Sequence, residues 1–151
     1  MTDLGSAKRY LGLEINHDLQ NNMLTLSQSD FIKNAANKFN VTYGKNYAIP
    51  MEENLKLEIA NNPNLNLKYR NLIGTLLYVA TGTRPDISFS VNYLSRFQNC
   101  CSETHYKYAL RVLQYLYHTH DLKLVYQGAS KILTLDAYVD ADFGSDIVDR
   151  K

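Results

Sequence analysis

Residues 69–97, with the sequence YRNLIGTLLYVATGTRPDISFSVNYLSRF, decide the fold. Apolar side chains recur three and four positions apart in the first half, which predicts a helix over 68–81 with one buried face; they are Leu72, Ile73, Leu76, Leu77 and Ala80. The helix is expected to stop near Gly82, and Pro85 suits the first turn of a second helix because its missing N–H has no partner there. That second helix is predicted over 85–97, with Ile87, Val91 and Leu94 inward.

The residues before this stretch predict a β-hairpin followed by a helix. YLGLEI at 10–15 is strand-like, a polar turn follows at 17–22, and residues 23–26 alternate as a returning strand. Phe31, Ile32, Ala35 and Phe39 then recur at helical spacing, which predicts a helix over 29–39. Ser27 or Ser29 is expected to cap it, since a short hydroxyl accepts from an unpaired N–H of the first turn.

The remaining segments predict a long connection, one more helix and two strands. Residues 43–67 are rich in Asn, Gly and Pro, with Leu55 and Leu57 expected to hold them to the core. Ser102 is a suitable N-cap for a helix over 103–118. Strands are predicted at 122–127 and 132–140, with Gly128 as the turn between them. The expected class is α+β: a hairpin and a helical bundle ending in strands.

Composition and charge exclude some classes of protein. Hydrophobic residues make up 45% of the chain, unlike a disordered sequence, and the net charge of +1 gives no overall field for attracting nucleic acid. With no apolar run of membrane-spanning length and no signal peptide, the expected location is the cytoplasm or nucleus, without a membrane partner. Cys100 and Cys101 are adjacent, and two thiols make neither a zinc site nor an easy disulfide.

The acidic segment YVDADFG at 138–144 is the first candidate site. Asp140 and Asp142 alternate, so in a strand both carboxylates face one side and could reach one Mg²⁺ ion. A two-metal site needs further acids from other elements. The alternative interpretation is a pair of surface carboxylates at a strand end.

Three other features carry alternatives. His105, His118 and His120 are candidate metal ligands, or histidines that favour the negative end of a helix. Arg84 either pairs with Asp86 or contacts a phosphate. Gly12, inside a predicted strand, allows the close approach either of a nucleic-acid strand or of a packed helix.

The order of the segments resembles the Pol polyprotein of copia-type LTR retrotransposons over essentially the whole chain. The stretches that carry the resemblance are 1–15 (MTDLG and YLGLEI), LSQSDFIKNAANKF (26–39), the 69–97 stretch, the helix from His105 to Leu116, and YVDADFGSDIVDRK (138–151). The resemblance implies the reverse transcriptase and RNase H region of that polyprotein.

The resemblance also implies a role for each part. Residues 1–45 resemble the end of the palm, with the primer-grip hairpin (Tyr10, Leu11, Gly12) and the first thumb helix. Residues 46–67 resemble a connection, 68–100 the thumb helices, 101–128 a tether of one helix and one strand, and 129–151 a truncated start of an RNase H-like sheet. Asp140 matches the first metal-binding aspartate of the RNase H site, and an incomplete fold is expected.

The catalytic residues of the family are expected to lie outside the matched region, and this determines the activity that we expect. The polymerase aspartates of the family belong before Met1 and the other RNase H acids belong after Lys151, so both ends are expected to fall inside a longer reading frame. The tether helix of the family carries more cations than the one here, where Arg111 remains. We therefore expect no independent catalysis and no cofactor in this fragment, with Mg²⁺ in the intact parent.

The resemblance also names partners. The expected ones are an RNA–DNA or DNA template–primer, bound weakly and contacted by Arg84 and Arg111, or an intact Pol protein. The alternative function is therefore a weak template–primer binding module.

Overall fold

A computed structural model describes residues 5–42, 44–60, 68–128 and 137–139. The described part is α+β, as predicted, with a four-stranded antiparallel sheet in the order β1-β2-β3-β4. The strands are β1 (Arg9–Tyr10), β2 (Leu13–Asp18), β3 (Met23–Ser27) and β4 (Leu124–Gln127). The helices are α1 (Ser29–Lys38), α2 (Tyr69–Gly82), α3 (Ser88–Ser95) and α4 (Glu103–His118), and a 3-10 turn at Pro85–Ile87 precedes α3.

The hairpin is confirmed, but the continuous strand predicted over 10–15 is wrong. Leu11 and Gly12 have φ values of 47° and 79°, in the left-handed region, and they form a turn that separates β1 from β2. β2 then extends to Asp18, further than predicted. The turn begins there, where the Asp18 carboxylate accepts hydrogen bonds at 3.0 Å from the backbone N–H groups of Gln20 and Asn21. These bonds close the turn between β2 and β3.

The sheet contributes almost nothing to the core. The register places Ile15, Leu26 and Leu124 in one cross-strand row and His17, Leu24 and Tyr126 in another, on the same face. Every described sheet residue except Ser27 is partly or fully exposed. One face of the sheet is therefore largely apolar, and its aliphatic side chains are only partly buried by the described part of the chain.

The core is instead made by the helices. α1 packs on α4, α2 packs on α3 and α4, and α3 packs on α4. The inward residues predicted for the 69–97 stretch are confirmed at Leu72, Ile73, Leu76, Ala80, Ile87, Val91 and Leu94, all of them buried. Leu77 is only partly buried and packs at the edge of this core.

Two helix boundaries differ from prediction. The helix predicted over 85–97 is a 3-10 turn followed by a shorter α3, because Pro85 follows Arg84 with its non-helical backbone angles. The N-cap of α1 is Gln28, without a side-chain capping bond, while the Ser27 hydroxyl accepts from the Ser29 N–H at 3.1 Å. The predicted cap at Ser102 is confirmed, with a capping box completed by His105.

The described part of the long connection, 44–60, has neither helix nor strand, as predicted. Leu57 is buried and its N–H donates to the Tyr93 hydroxyl at 2.9 Å, while Leu55 packs at the edge of the core. The strand predicted at 122–127 begins at Leu124 and pairs with β3. Of the strand predicted at 132–140, residues 137–139 are not in a strand, and the others lie outside the described residues.

Candidate nucleic-acid interface

A shallow groove runs between α1 and α2. Its lining residues are Phe31, Arg70, Asn71, Gly74, Thr75 and Tyr78, none of which is acidic. Gly74 is exposed, and a methyl group in place of its hydrogen would meet no atom within 4 Å. The backbone of α2 is therefore open to a ligand at this point.

Two cations lie at one end of this groove. Arg70 donates from Nη2 to Asn99 Oδ1 at 2.6 Å, and from Nε to the Gln98 carbonyl oxygen at 3.3 Å. Lys38 Nζ donates to Asn71 Oδ1 at 3.2 Å. These partners are uncharged, so they position both cations without neutralising them, and both charges can act on a nearby anion.

The primer-grip-like residues Tyr10, Leu11 and Gly12 lie next to this groove. Tyr10 and Leu11 are exposed, and the Tyr78 hydroxyl donates to the Leu11 carbonyl oxygen. A Cβ at Gly12 would lie 2.7 Å from that hydroxyl. Two groups were considered as close neighbours of Gly12, a nucleic-acid strand and a packed helix. Within the described chain the close neighbour is a helix, α2, through the side chain of Tyr78.

Arg84 is 2% exposed and fully engaged within the protein. It donates to both carboxylate oxygens of Asp86 at 2.9 and 2.8 Å, and to the carbonyl and hydroxyl oxygens of Thr119 at 2.8 and 2.7 Å. The ion pair considered from sequence is therefore present. A phosphate contact by Arg84, its other predicted role, would require these bonds to break.

The carboxyl group of Asp86 reflects this pairing. Its partial burial raises its pKa, but hydrogen bonds from Arg84 and Tyr115 together with the charge of Arg84 outweigh that effect and hold the pKa below its usual value. Burial, followed by the bond to Asp86, raises the pKa of the Tyr115 hydroxyl. Asp86 thus joins the start of α3 to the last turns of α4.

Arg111 lies against the connection. Its guanidinium is 4.4 Å from the centroid of the Tyr47 ring and forms an ion pair with Glu52. Like Arg84, it is paired with a carboxylate, which leaves little net charge for a phosphate. The nucleic-acid contact by Arg111 remains a prediction, and the geometry assigns the side chain a packing role.

Comparison with known proteins finds relatives of this sequence among transposon proteins. The chain is 37% identical over 147 residues to a transposon Ty5-1 protein of Saccharomyces cerevisiae, which covers 96% of this chain and 47% of that protein. It is 32% identical, over its whole length, to the retrovirus-related Pol polyprotein from transposon TNT 1-94 of Nicotiana tabacum. It is 34% identical, over 93% of its length, to the Pol polyprotein from transposon RE2 of Arabidopsis thaliana.

The chain is a homologue of copia-type retrotransposon Pol polyproteins. It spans about half the length of the yeast relative, and 12% and 10% of the two plant polyproteins. It therefore corresponds to a part of a Pol polyprotein. No family model and no solved structure matches it.

The candidate metal ligands do not come together within the described residues of this chain. Asp140, the predicted RNase H ligand, and its neighbour Asp142 lie outside the described residues. Across 5–42, 44–60, 68–128 and 137–139, no three His, Cys, Asp or Glu side chains are grouped closely enough to hold a metal ion. We therefore assign no step of a metal-dependent reaction to these residues.

The three histidines have separate positions. His105 is buried, where its Nδ1 accepts from the Ser102 N–H at 3.1 Å. Burial lowers its pKa, more than the nearby Glu58 backbone raises it. The His120 ring hydrogen-bonds the Tyr117 carbonyl at 2.8 Å, and the His118 ring lies 3.4 Å from the Gly44 carbonyl oxygen. Each therefore stabilises a helix end or the connection.

Sequence reasoning missed the groove residues Gly74 and Tyr78. The sequence did contain a sign of Gly74. A glycine inside a helical segment lowers the stability of the helix by about 1 kcal/mol relative to alanine, so its presence there suggests a functional role. Tyr78 lies among the apolar residues of α2, so its position in the sequence suggests only a role in packing. Its two contacts, with the Phe31 ring at 4.7 Å and with the β1–β2 turn, depend on the tertiary fold.

No helix among the described residues combines the length and apolar character of a membrane span.

Proposed function

We propose that the chain is the reverse transcriptase thumb of a retrotransposon Pol protein, together with its connection to the start of the RNase H domain. We further propose that, by itself, it binds template–primer nucleic acid weakly and catalyses no reaction. The order of the matched segments supports the region, and the groove between α1 and α2 supports the binding.

The observation that carries the proposal is which of the cations are paired with a carboxylate and which are not. Arg70 and Lys38 at the groove are held by neutral groups, whereas Arg84 and Arg111 are each paired with a carboxylate. A nucleic-acid backbone is attracted by cations that are not already neutralised, and each phosphate contact releases bound counterions. The groove thus combines positive charge, an exposed helix backbone at Gly74 and no acidic lining residue.

Salt-dependent binding tests the proposal. Fluorescence anisotropy with a labelled RNA–DNA hybrid should show binding that weakens as salt rises. Arg70→Ala and Lys38→Ala should each reduce the slope of log K against log salt by about one unit. Lys107→Ala, an exposed lysine of α4 that does not line the groove, is the matched control and should leave the slope unchanged.

Two results would overturn parts of the proposal. Undetectable binding of the hybrid at low salt would remove the binding role. Templated DNA synthesis or cleavage of the RNA strand by the purified chain with Mg²⁺ would remove the statement that it lacks catalysis.

A further inference from the structure

An aromatic stack runs along the outer side of α3 and ends in solvent. Phe89, Tyr93 and Phe97, which we call the α3 aromatic ladder, are four residues apart. Phe89 and Tyr93 lie one above the other on α3, and Phe97 follows two residues after the helix ends. The Phe89 and Tyr93 rings are nearly parallel, at 12° and 6.4 Å between centroids. Tyr93 meets Phe97 edge-on at 5.7 Å. Phe89, the outermost ring, is 75% exposed.

The inner end of the ladder is fixed. Phe97 is buried and lies 4.4 Å from the ring of His105 at the start of α4. The Tyr93 hydroxyl accepts the Leu57 N–H of the connection, which sets the orientation of that ring. A flat ligand that stacks on Phe89 would therefore meet a surface that is already ordered, and little conformational entropy would be lost on binding.

The surroundings of Phe89 distinguish between kinds of partner. Its helix neighbours Ser88 and Asn92 are polar. The nearest acidic residue before it in sequence, Asp86 in the preceding 3-10 turn, is paired with Arg84. A protein-docking surface needs a contiguous apolar patch of several hundred Å², whereas a nucleobase needs only one exposed ring. The Arg96 guanidinium lies 5.8 Å from the centroid of the Tyr93 ring, the middle ring of the ladder.

We propose that Phe89 stacks on an unpaired base of a single-stranded stretch of nucleic acid. The inference rests on the proposed function and adds a second contact surface, on α3, to the groove between α1 and α2. Aromatic side chains combined with cations are the usual means of binding single strands without reading their sequence.

Two probes separate this inference from the proposed function: a labelled single-stranded oligonucleotide, and a blunt RNA–DNA hybrid that contains the same sequence. Phe89→Ala should weaken single-strand binding roughly 5- to 100-fold, the usual range for loss of one stacked base. It should leave the salt slope and the affinity for the blunt hybrid unchanged, because no charge is removed. Phe89→Trp should retain single-strand binding.

A control variant and a folding measurement keep the result interpretable. Tyr126→Ala removes an exposed aromatic ring from the sheet and should not change single-strand binding. Thermal unfolding of Phe89→Ala should match that of the parent chain, since the ring is mostly in water.

The possible outcomes separate cleanly. Equal single-strand affinities for Phe89→Ala and the parent would overturn the stacking inference alone, as would binding of the hybrid without binding of the single strand. If neither probe binds, the inference and the proposed binding function both fail.

Discussion

The side chains of Arg84 and Asp86 form a two-bond ion pair at 2.9 and 2.8 Å, although the arginine side chain is 2% exposed and the aspartate side chain is 37% exposed. Because the arginine sits between the 3-10 turn before α3 and the end of α4, it adds a polar link between two helices that also pack on each other. The same guanidinium also satisfies the Thr119 carbonyl group near the end of α4.

Arg84→Ala is expected to lower the free energy of unfolding by about 2 to 4 kcal/mol, because it removes a buried, paired charge and leaves a cavity. Urea unfolding followed by circular dichroism measures the loss. The control is Arg9→Ala, which breaks the exposed ion pair with Asp30 and should cost at most about 1 kcal/mol. Equal losses for the two variants would show that burial of Arg84 adds nothing.

His105 predicts a pH dependence of stability. Burial lowers its pKa from the usual 6.5, so the unfolded chain binds a proton at a higher pH than the folded chain does. The free energy of unfolding should therefore fall as the pH drops below about 6.5, by at most about 1.4 kcal/mol per pH unit from this group. Urea unfolding between pH 7.5 and 5 tests the slope.

The matched variant for this experiment is His105→Gln. Glutamine at this position of a capping box can also accept from the Ser102 N–H, so the helix start is kept while the titrating ring is removed. Its stability should change less across the same pH range. A slope identical to that of the parent chain would assign the effect to other groups.

Gly74→Ala is expected to separate stability from binding. Alanine in the middle of a helix is favoured by about 0.5 to 1 kcal/mol, and nothing lies within 4 Å to oppose the methyl group. The same methyl group would partly fill the groove and weaken hybrid binding. Thermal unfolding and anisotropy should therefore change in opposite senses, and unchanged hybrid binding would argue against a role for the groove.

Gly12→Ala is expected to destabilise the β1–β2 turn by about 1 to 2 kcal/mol, because Gly12 has a φ of 79° and its Cβ would lie 2.7 Å from the Tyr78 hydroxyl. Urea unfolding measures the loss. Gly5→Ala is the control for the backbone conformation alone, since Gly5 has a φ of 71° and a Cβ built there would meet no atom within 4 Å. A similar cost for both would mean that the contact with Tyr78 contributes little.

Amide hydrogen exchange should divide the chain into two parts. The amides of α2 and α4 are expected to be protected most strongly, because both helices bury long apolar faces. The β2 and β3 amides should exchange sooner, since the side chains of their sheet lie outside the core. Comparable protection in both parts would mean that the sheet is held more firmly than its burial indicates.

The sequence predicts the helices well because their apolar spacing is long and regular. The burial of Leu72, Leu76 and Leu94, and the cap at Ser102, follow from local pattern alone. The division of the predicted 10–15 strand by a turn did not follow, since it requires a positive φ of 47° at Leu11, a conformation that a leucine side chain does not signal.

The site was less predictable than the fold. Arg84 and Arg111 are conspicuous as cations, but whether a cation is neutralised depends on carboxylates brought close by folding, and Glu52 is 59 residues away from Arg111. Arg70 and Lys38 lie on different helices, and only the packing of α1 beside α2 brings them to one groove. No spacing rule within one helix could have joined them.

The partly exposed apolar face of the sheet bears on how copies of such an element diverge. Residues of the helical core pack against one another, so a change of size at one core position should be compensated by a change at a neighbouring position of the same chain. Leu24 and Tyr126 face each other across β3 and β4 but lie outside the buried core of the described residues, so that core constrains them less. If these positions stay apolar among the related Pol polyproteins, that pattern would indicate a surface selected for contact with another polypeptide segment.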